Sequence, residues 1–463
     1  MSAEKGLPHR VRQIEQTWTG TVWFIEGDIA DCFGSLDHDI MIKVLAEKIH
    51  DGRFLRLIRN MLTAGYLQDW TWRATHSGAP QGGVASPVLS NIYLHKLDQF
   101  VETVLIPQHT KGVSRRPNPA YEETRHPLRQ AQRRGDRTTV RELRRQRRRL
   151  PSRDPHDPGY RRLRYSRYTD DHLLGFIGPK AEAEDIKDQL ATFLREELNR
   201  EMSPSKTLIT HARTRAARFL GYEIITQDNN TRLTNGRRSV NGIIALRVPL
   251  DVIKTKCGPY LRHGKPWHIS AMQNLDDYDI VKTCGAQYRG IVQYYLLAID
   301  VWRLHPPYWI AQTSMLKTLA AKHQSSVSKM AAKHRAKIQT PYGIRTCFEA
   351  RVERDGKQPL VARFGGMPLA RNKDAKLDDR VLTPRPHPRK ELVTRLLKRR
   401  CELCGDPAKV LVHQVRKLAQ LDGLGTDQPA WAALMTRMRR KTLVVCHPCH
   451  EAIHHRHPVA NVA

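Results

Sequence analysis

Two adjacent acidic residues, Asp170 and Asp171, stand between stretches rich in apolar residues. This pattern predicts a strand, a tight turn and a second strand, with both carboxylates at the turn. Adjacent carboxylates repel each other unless a positive charge lies close to them. Mg²⁺ supplies such a charge, because it binds carboxylate oxygens together with substrate phosphates. A metal site for phosphoryl transfer is therefore one interpretation, and a solvated turn without chemistry is the other.

A third acid, Asp28, closely follows the apolar run from Val22 to Ile25. That run predicts another buried strand. If this strand lies beside the predicted hairpin, Asp28 joins Asp170 and Asp171 in a site for two divalent ions. Such a pair of ions is a common arrangement for in-line phosphoryl transfer.

Four cysteines near the C-terminus form two C-x-x-C pairs, separated by the segment 405–445. This order indicates a structural zinc site, with free thiols in a reducing compartment as the weaker alternative. Eight cysteines in 463 residues are too few for a disulfide scaffold. His413 lies between the pairs, and His450 and His454 follow one helical turn apart, on one face of a helix. The four cysteines are Cys401, Cys404, Cys446 and Cys449.

Further motifs accompany the three acids in a fixed order along the chain. The segment 80–87 reads PQGGVASP, the segment 203–207 reads SPSKT, and the segment 219–222 reads FLGY. Together with Asp28 and the tetrad YTDD at 168–171, this order resembles the palm motifs of reverse transcriptases. The amino-acid sequences of the surrounding segments are similar to those of group II intron proteins.

This resemblance runs from about Gln16 to the C-terminus. It implies that Asp28, Asp170 and Asp171 are catalytic and bind two Mg²⁺ ions, one at the primer 3′-hydroxyl and one at the leaving pyrophosphate. For Phe33, which would lie beneath the incoming sugar, core packing is an equally good interpretation. The residues that the resemblance assigns to nucleotide, template or primer contacts are Phe33, Gln81, Gly82, Lys206, Leu220 and Gly221.

The C-terminal segment resembles an HNH nuclease domain of the group II intron type. The resemblance implies that zinc holds the fold, while His413, His450 and His454 bind a separate divalent ion and His413 takes part in catalysis. The family usually has two adjacent histidines here, and the second activates water. Gln414 occupies that second position. Because glutamine does not accept a proton near neutral pH, nuclease activity is expected only if His413 or a neighbour such as His455 acts as the base.

The chain is strongly basic, with 78 Lys and Arg against 46 Asp and Glu and a formal net charge of +32. Such an excess favours nucleic acid as a partner over a generic basic surface. No apolar run reaches the ~18 residues of a membrane span, and no signal peptide is visible. These features predict a cytoplasmic protein, associated with the nucleoid of a bacterium.

Arginines crowd the segment 107–164, and a helix is expected from Leu128 to Leu150. A solvated, charged helix is the common meaning of such a run. The unequal signs here favour phosphate contact instead. In the helical stretch that follows Leu250, lysines are the better candidates for RNA contact than the aromatics. The residues expected to bind nucleic acid are Arg144, Arg145, Arg147, Arg148, Lys317 and Lys322.

The predicted fold class is α+β, with four parts along the chain. A right-hand polymerase palm over 1–238 carries residual fingers and a basic insertion at 107–164. A helical thumb, or maturase X domain, spans 239–344, and a basic linker that is a candidate for DNA binding spans 345–395. A small zinc-stabilised ββα-metal (HNH) domain spans 396–457. Family members carry a fingers region before the Asp28 motif; only a short helix is expected there in this chain, so the fingers are expected to be largely missing.

The leading hypothesis is an RNA-directed DNA polymerase and intron maturase in group II intron splicing and mobility, with an HNH domain for cleavage of target DNA. Intron RNA and target DNA are the expected partners, with a fingers-bearing fragment or a second copy as further candidates. The intact acids favour this hypothesis. The missing fingers favour a truncated maturase remnant that binds RNA without DNA synthesis, and a DNA-nicking protein is the third alternative. The expected cofactors are two Mg²⁺ ions, structural Zn²⁺ and a divalent ion at the HNH site.

Overall fold

The protein forms two compact units in the computed structural model: Met1–Pro249 with Leu297–Asp300, and Leu250–Leu296 with Val301–Ala463. Four predicted site residues, Phe33, Gln81, Gly82 and Lys206, lie outside the residues that the structure describes. The described residues are 7–29, 34–68, 71–73, 78, 85–203, 207–229, 232–234, 237–354, 357–375, 392, 395–415, 421, 428–438 and 440–455.

The first unit mixes helices with short strands. Its helices are α1 (Leu7–Thr17), α2 (His38–Ala46), α3 (Gly52–Thr63), α4 (Ser86–Phe100), α5 (Ile106–Gln108), α6 (Pro119–Glu123), α7 (Arg125–Arg133), α8 (Arg137–Arg149) and α9 (Lys180–Leu198), with a π-helical turn at Val101–Leu105. Its strands are β1 (Trp23–Gly27), β2 (Tyr66–Gln68), β3 (Thr71–Arg73), β4 (Arg162–Tyr168), β5 (Asp171–Ile177), β6 (Ile209–His211), β7 (Ala217–Phe219), β8 (Tyr222–Thr226), β9 (Leu233–Thr234), β10 (Arg237–Arg238) and β11 (Ile244–Arg247).

A four-stranded antiparallel sheet in the order β4-β5-β1-β6 lies at the centre of this unit. The predicted hairpin is confirmed, because Tyr168 at the end of β4 pairs with Asp171 at the start of β5. In the pairing of β1 with β5, Gly27 lies opposite His172. When this register is continued by one residue, Asp28 falls opposite Asp171.

One face of the sheet packs against α4 and α9. Strands rich in β-branched and aromatic residues suit such a half-buried surface. The fully buried residues of this core include Ile25, Leu94, Leu97, Leu174, Phe176, Ile186 and Leu190.

The expected helix from Leu128 to Leu150 is two helices, α7 and α8, with a break between them. Gly135 has a φ of +71° at the break. The Asp136 side chain then caps α8 by accepting hydrogen bonds from the backbone N–H groups of Thr138 and Thr139. A capping aspartate after a glycine is a helix boundary signal that outweighs the uniform polarity of the segment.

The second unit begins with helices and continues into strands. Its helices are α10 (Leu250–Cys257), α11 (Asp277–Tyr294), α12 (His305–His323), α13 (Val327–His334), α14 (Ala430–Met438) and α15 (His447–His455), with 3-10 turns at Gly258–Tyr260, Ser270–Met272 and Val301–Leu304. Its strands are β12 (Leu261–Arg262), β13 (Lys265–Pro266), β14 (Arg335–Thr340), β15 (Gly343–Arg354), β16 (Lys357–Gly365), β17 (Val410–Gln414) and β18 (Thr442–Cys446).

The segment expected as a linker, 345–395, contains most of β15 and all of β16, which form a three-stranded antiparallel sheet with β14. Phe348 and Phe364 are buried in it. These strands were not predicted because most of their charged residues lie on exposed positions, which lowers the mean hydropathy of the segment. Within the described part of the chain, no helix is both long and apolar enough to cross a membrane.

Candidate functional site

The acidic turn has a backbone conformation that is unusual for its sequence. Thr169 is the first of the two turn residues and has a φ of 55°. A positive φ is common in two-residue hairpin turns, but it is rare for a β-branched residue such as threonine. The Thr169 hydroxyl lies 2.9 Å from Oδ1 of Asp170. The turn therefore holds Thr169, which leads directly into Asp170, in a conformation that its surroundings must stabilise.

A buried histidine, His172, lies opposite Gly27 in the pairing of β1 with β5. A Cβ built on Gly27 would lie 1.9 Å from Nε2 of His172, so the glycine leaves room for the imidazole ring. Complete burial lowers the pKa of His172 to about 4. The ring is therefore neutral near pH 7, and it brings no fixed positive charge to Asp28, Asp170 and Asp171. The three carboxylates are not among the described clusters whose ligand atoms all lie within 4.8 Å of one another.

The predicted primer contacts, Leu220 and Gly221, form the turn between β7 and β8. Their φ angles are 47° and 71°, as in a type I′ hairpin turn. Glu26 in β1 ties this turn to the strand before Asp28. One Glu26 oxygen accepts a hydrogen bond from the Arg218 backbone N–H at 2.7 Å, and the other accepts one from the Thr210 hydroxyl at 2.7 Å. Burial raises the pKa of Glu26 despite these bonds.

Arg167 lies beside the acidic turn, and the sequence did not single it out. Its side chain is 3% exposed and lies at the end of β4, next to the acidic turn. It donates to both carboxylate oxygens of Asp98 in α4, at 2.7 and 2.6 Å, and to the Thr169 carbonyl at 2.6 Å. The sequence marks Arg167 only as a charged residue within a strand predicted to be buried. Its partner, Asp98, is 69 residues away.

The arginines of α8 that are predicted to bind nucleic acid differ in how exposed they are to solvent. Arg144, Arg145 and Arg148 are exposed on α8. The guanidinium of Arg147 is half-buried and stacks on Tyr121, 4.2 Å from the ring centre. These positions favour the three exposed arginines for phosphate contact.

Two predicted RNA-binding lysines are engaged within the second unit. Lys322 donates to Asp277 at 2.7 Å, and its side chain is 11% exposed. Lys317 donates to the Pro266 carbonyl at 2.9 Å. The position of Lys322 argues against the predicted phosphate contact, because the ion pair with Asp277 already uses its charge.

The four predicted zinc ligands lie together. All four sulfur atoms are within 4.8 Å of one another, and those of Cys404 and Cys446 are 3.8 Å apart. Burial acts to raise the pKa of Cys401, but hydrogen bonds from neighbouring backbone N–H groups lower it to about 6. Four cysteine sulfurs gathered in this way suit a structural Zn²⁺ ion.

The three predicted histidines also form a cluster, with one nitrogen from each within 4.8 Å of the others. Among the described residues, His413 Nε2 is buried without a hydrogen-bond partner. Burial, and then the two neighbouring histidines, lower the pKa of His413. Imidazole nitrogens that converge on a common point are suited to a divalent ion. Gln414 is exposed, and strand alternation directs it away from His413.

Removal of zinc is expected to unfold the segment 401–455 and to leave the first unit folded, because a small metal domain derives much of its folding energy from the ion. Limited proteolysis with and without a chelator checks this, together with zinc content by mass spectrometry. Cys446→Ser is expected to lose zinc, whereas Cys257→Ala, at a buried cysteine outside the cluster, retains it. Full zinc content in Cys446→Ser would show that the cysteine cluster is not the zinc site.

Three family models match successive parts of the chain. The family model of reverse transcriptase (RNA-dependent DNA polymerase) matches residues 3–224. The model of type II intron maturase matches residues 244–354, and that of the AI2M/AI1M-like HNH endonuclease matches residues 401–450.

The chain also resembles individual proteins over most of its length. It is 32% identical to the group II intron-encoded protein LtrA of Lactococcus lactis subsp. cremoris, over 96% of this chain and 76% of LtrA. It is 30% identical to an uncharacterized 91 kDa protein in the cob intron of Schizosaccharomyces pombe, over 96% of this chain and 55% of that protein. The resemblance predicted from the motifs is thereby confirmed: the chain belongs to the group II intron-encoded proteins, with reverse transcriptase, maturase and HNH endonuclease domains.

Proposed function

We propose that Asp28, Asp170 and Asp171 form the catalytic site for RNA-templated DNA synthesis. The observation that supports this proposal is the pairing of Gly27 with His172, because this register, continued by one residue, would bring Asp28 opposite Asp171 at the acidic turn. Two Mg²⁺ ions bound there would supply positive charge to the attacking and leaving oxygens of the phosphoryl transfer. The protein's own part would be to bring the three carboxylates to these ions in spite of their mutual repulsion.

The predicted contacts to primer, nucleotide and template are proposed to surround these three acids. The turn at Leu220 and Gly221 is a candidate contact for the primer, and its link through Glu26 would keep it in register with Asp28. Phe33, Gln81, Gly82 and Lys206 are proposed as nucleotide and template contacts by their match to the family motifs.

Asp170→Asn is expected to reduce extension of a DNA primer on an RNA template by a factor on the order of 10² or more, because it removes a charged oxygen ligand. Asp188→Asn, an exposed acid on α9, serves as the matched control and is expected to keep full activity. The test uses the chain as it stands, with Mg²⁺ and saturating nucleotides.

Equal extension by Asp170→Asn and the unaltered protein would exclude the proposed site. If the unaltered protein binds intron RNA tightly and extends no primer, the alternative of an RNA-binding maturase without DNA synthesis is favoured.

Intron RNA and target DNA are the partners we propose, and both would be met in the bacterial cytoplasm at the nucleoid. The net charge of +32 supports this, together with the exposed arginines of α8. Arginine and lysine contacts to phosphates release counterions, which makes such binding steeply dependent on salt.

Replacement of Arg144, Arg145 and Arg148 together by Ala is expected to weaken RNA binding and to flatten the slope of log K against log salt by up to about 2, at roughly 0.7 for each lost phosphate contact. Arg147→Ala is the matched control, because Arg147 packs on Tyr121. It is expected to change the slope less. Fluorescence anisotropy over a range of salt concentrations measures both. An unchanged slope in the triple variant would mean that α8 is only a solvated helix.

The C-terminal domain is proposed to nick DNA slowly. The histidine cluster supports binding of a divalent ion, but the expected position of the water-activating base holds Gln414. A general base typically contributes a factor on the order of 10²–10⁴, so its absence would leave only a small residual rate.

His450→Ala is expected to abolish divalent-dependent nicking, whereas His447→Ala, at an exposed histidine on the same helix, leaves it unchanged. Gln414→His is expected to raise the rate if position 414 is where the base acts. A supercoiled plasmid assay measures all three variants. Brisk nicking by the unaltered protein, with no gain in Gln414→His, would assign the base to another group and agree with the outward direction of this side chain.

A further inference from the structure

We propose that Arg167 is the residue that positions the catalytic turn, by fixing the peptide bond between Thr169 and Asp170 against α4. This inference rests on the proposed function of the three acids. It assigns to one side chain the work of holding the Asp170 carboxylate where a metal ion can be shared with Asp28 and Asp171.

The hydrogen bonds of Arg167 use all three of its nitrogen atoms. Nε and Nη2 bind the two oxygens of Asp98 at 2.7 and 2.6 Å. Nη1 donates to the Thr169 carbonyl at 2.6 Å and lies 3.2 Å from Oδ1 of Asn91. Because a guanidinium is planar, the paired contact with Asp98 also fixes the direction in which Nη1 points.

The Thr169 carbonyl belongs to the peptide group that leads directly into Asp170. Its orientation therefore determines where the Asp170 side chain leaves the backbone. Thr169 has a φ of 55°, a conformation that a β-branched residue keeps only when neighbouring groups hold it. The bond from Arg167 is one contact that holds it.

Helix α4 provides a rigid support for this arrangement. Leu94 and Leu97 of α4 are buried in the core beside the sheet. Asp98 also accepts a hydrogen bond from the Tyr165 hydroxyl at 2.9 Å, so a second residue of the same strand is fixed to the same carboxylate. The helix begins at Ser86.

A conservative substitution affects different properties in a purely structural ion pair and in a positioning residue. A structural pair, once weakened, lowers stability and the fraction of folded protein. A positioning residue also changes the affinity of the correctly folded protein for the divalent ion. The ion concentration at half-maximal rate does not depend on the amount of folded protein, so it separates the two roles.

The test compares Arg167→Lys with Arg161→Lys in the full chain. Lysine keeps the charge beside Asp98 but lacks the fork that also reaches Thr169. Arg161 makes an ion pair with Glu182 at 2.8 Å, roughly 20 Å along the hairpin from the turn, and so controls for loss of a part-buried arginine. A third variant, Asn91→Ala, removes a partner of Nη1 without exposing a buried charge.

Two quantities are measured for each variant. One is the Mg²⁺ midpoint of primer extension. The other is Mn²⁺ binding by electron paramagnetic resonance, in a His450→Ala background that removes the histidine site. Arg167→Lys is expected to weaken both by a factor on the order of 10–100, as for other groups that orient metal ligands. Primer-template affinity is expected to stay the same. Asn91→Ala should shift both in the same direction by less, and Arg161→Lys should not shift them.

Unchanged Mg²⁺ and Mn²⁺ midpoints in Arg167→Lys, with only a lower melting temperature, would overturn the proposal. If Arg167→Lys does not fold, unchanged midpoints in Asn91→Ala would overturn it. Asp170→Asn distinguishes this failure from that of the proposed function. If Asp170→Asn loses Mn²⁺ binding and the Arg167 variant does not, the acids bind metal and only the role of Arg167 is wrong. If Asp170→Asn binds Mn²⁺ as well as the unaltered chain, the proposed catalytic site fails as well.

Discussion

The antiparallel pairing of β1 with β5 determines where the three acids lie. Asp28 is beyond the last residue of β1, and Asp171 is the first residue of β5, so their separation is set by the register of the two strands. A slip of one residue would turn each side chain of β1 to the opposite face of the sheet. The buried ring of His172 occupies the space beside Gly27, where any larger residue would meet the imidazole. This fit between a glycine and a neutral histidine stabilises one register over its neighbours and brings no positive charge to the acids.

Two long-range contacts extend this constraint to the rest of the first unit. Glu26 joins β1 to the backbone before the turn at Leu220, and Arg167 joins the acidic turn to α4. Both charges are buried, and burial of charge is costly unless every partner is in place. Such contacts contribute little net stability, but they favour one arrangement of the strands and helix. A catalytic site that must hold three carboxylates near one another has particular need of that selectivity.

The elements whose chemistry is local could be predicted from the sequence. The hairpin at Asp170, the strand before Asp28 and the paired cysteines could be predicted because residue type and spacing alone encode them. The ion pairs Arg167–Asp98 and Lys322–Asp277 join residues 69 and 45 positions apart, and no local pattern indicates them. Strands β15 and β16 were missed for a related reason: packing on one face is sufficient to bury Phe348 and Phe364, while the charged residues on exposed positions hide the apolar alternation. Lys322 is an example: it was predicted to contact RNA, but it forms an ion pair with Asp277 of α11.

Metal-directed cleavage of the backbone tests most directly whether the acids form one site. Fe²⁺ bound in place of Mg²⁺ generates hydroxyl radicals with ascorbate and peroxide, and these cut the chain close to the ion. The shared site predicts cuts near Asp28 and near Asp170 in the same sample, and Asp170→Asn removes both sets together while cuts near His413 persist. Cuts at only one of the two segments, or cuts near Asp28 that survive in Asp170→Asn, would contradict a common metal site and with it the central role of the β1–β5 register.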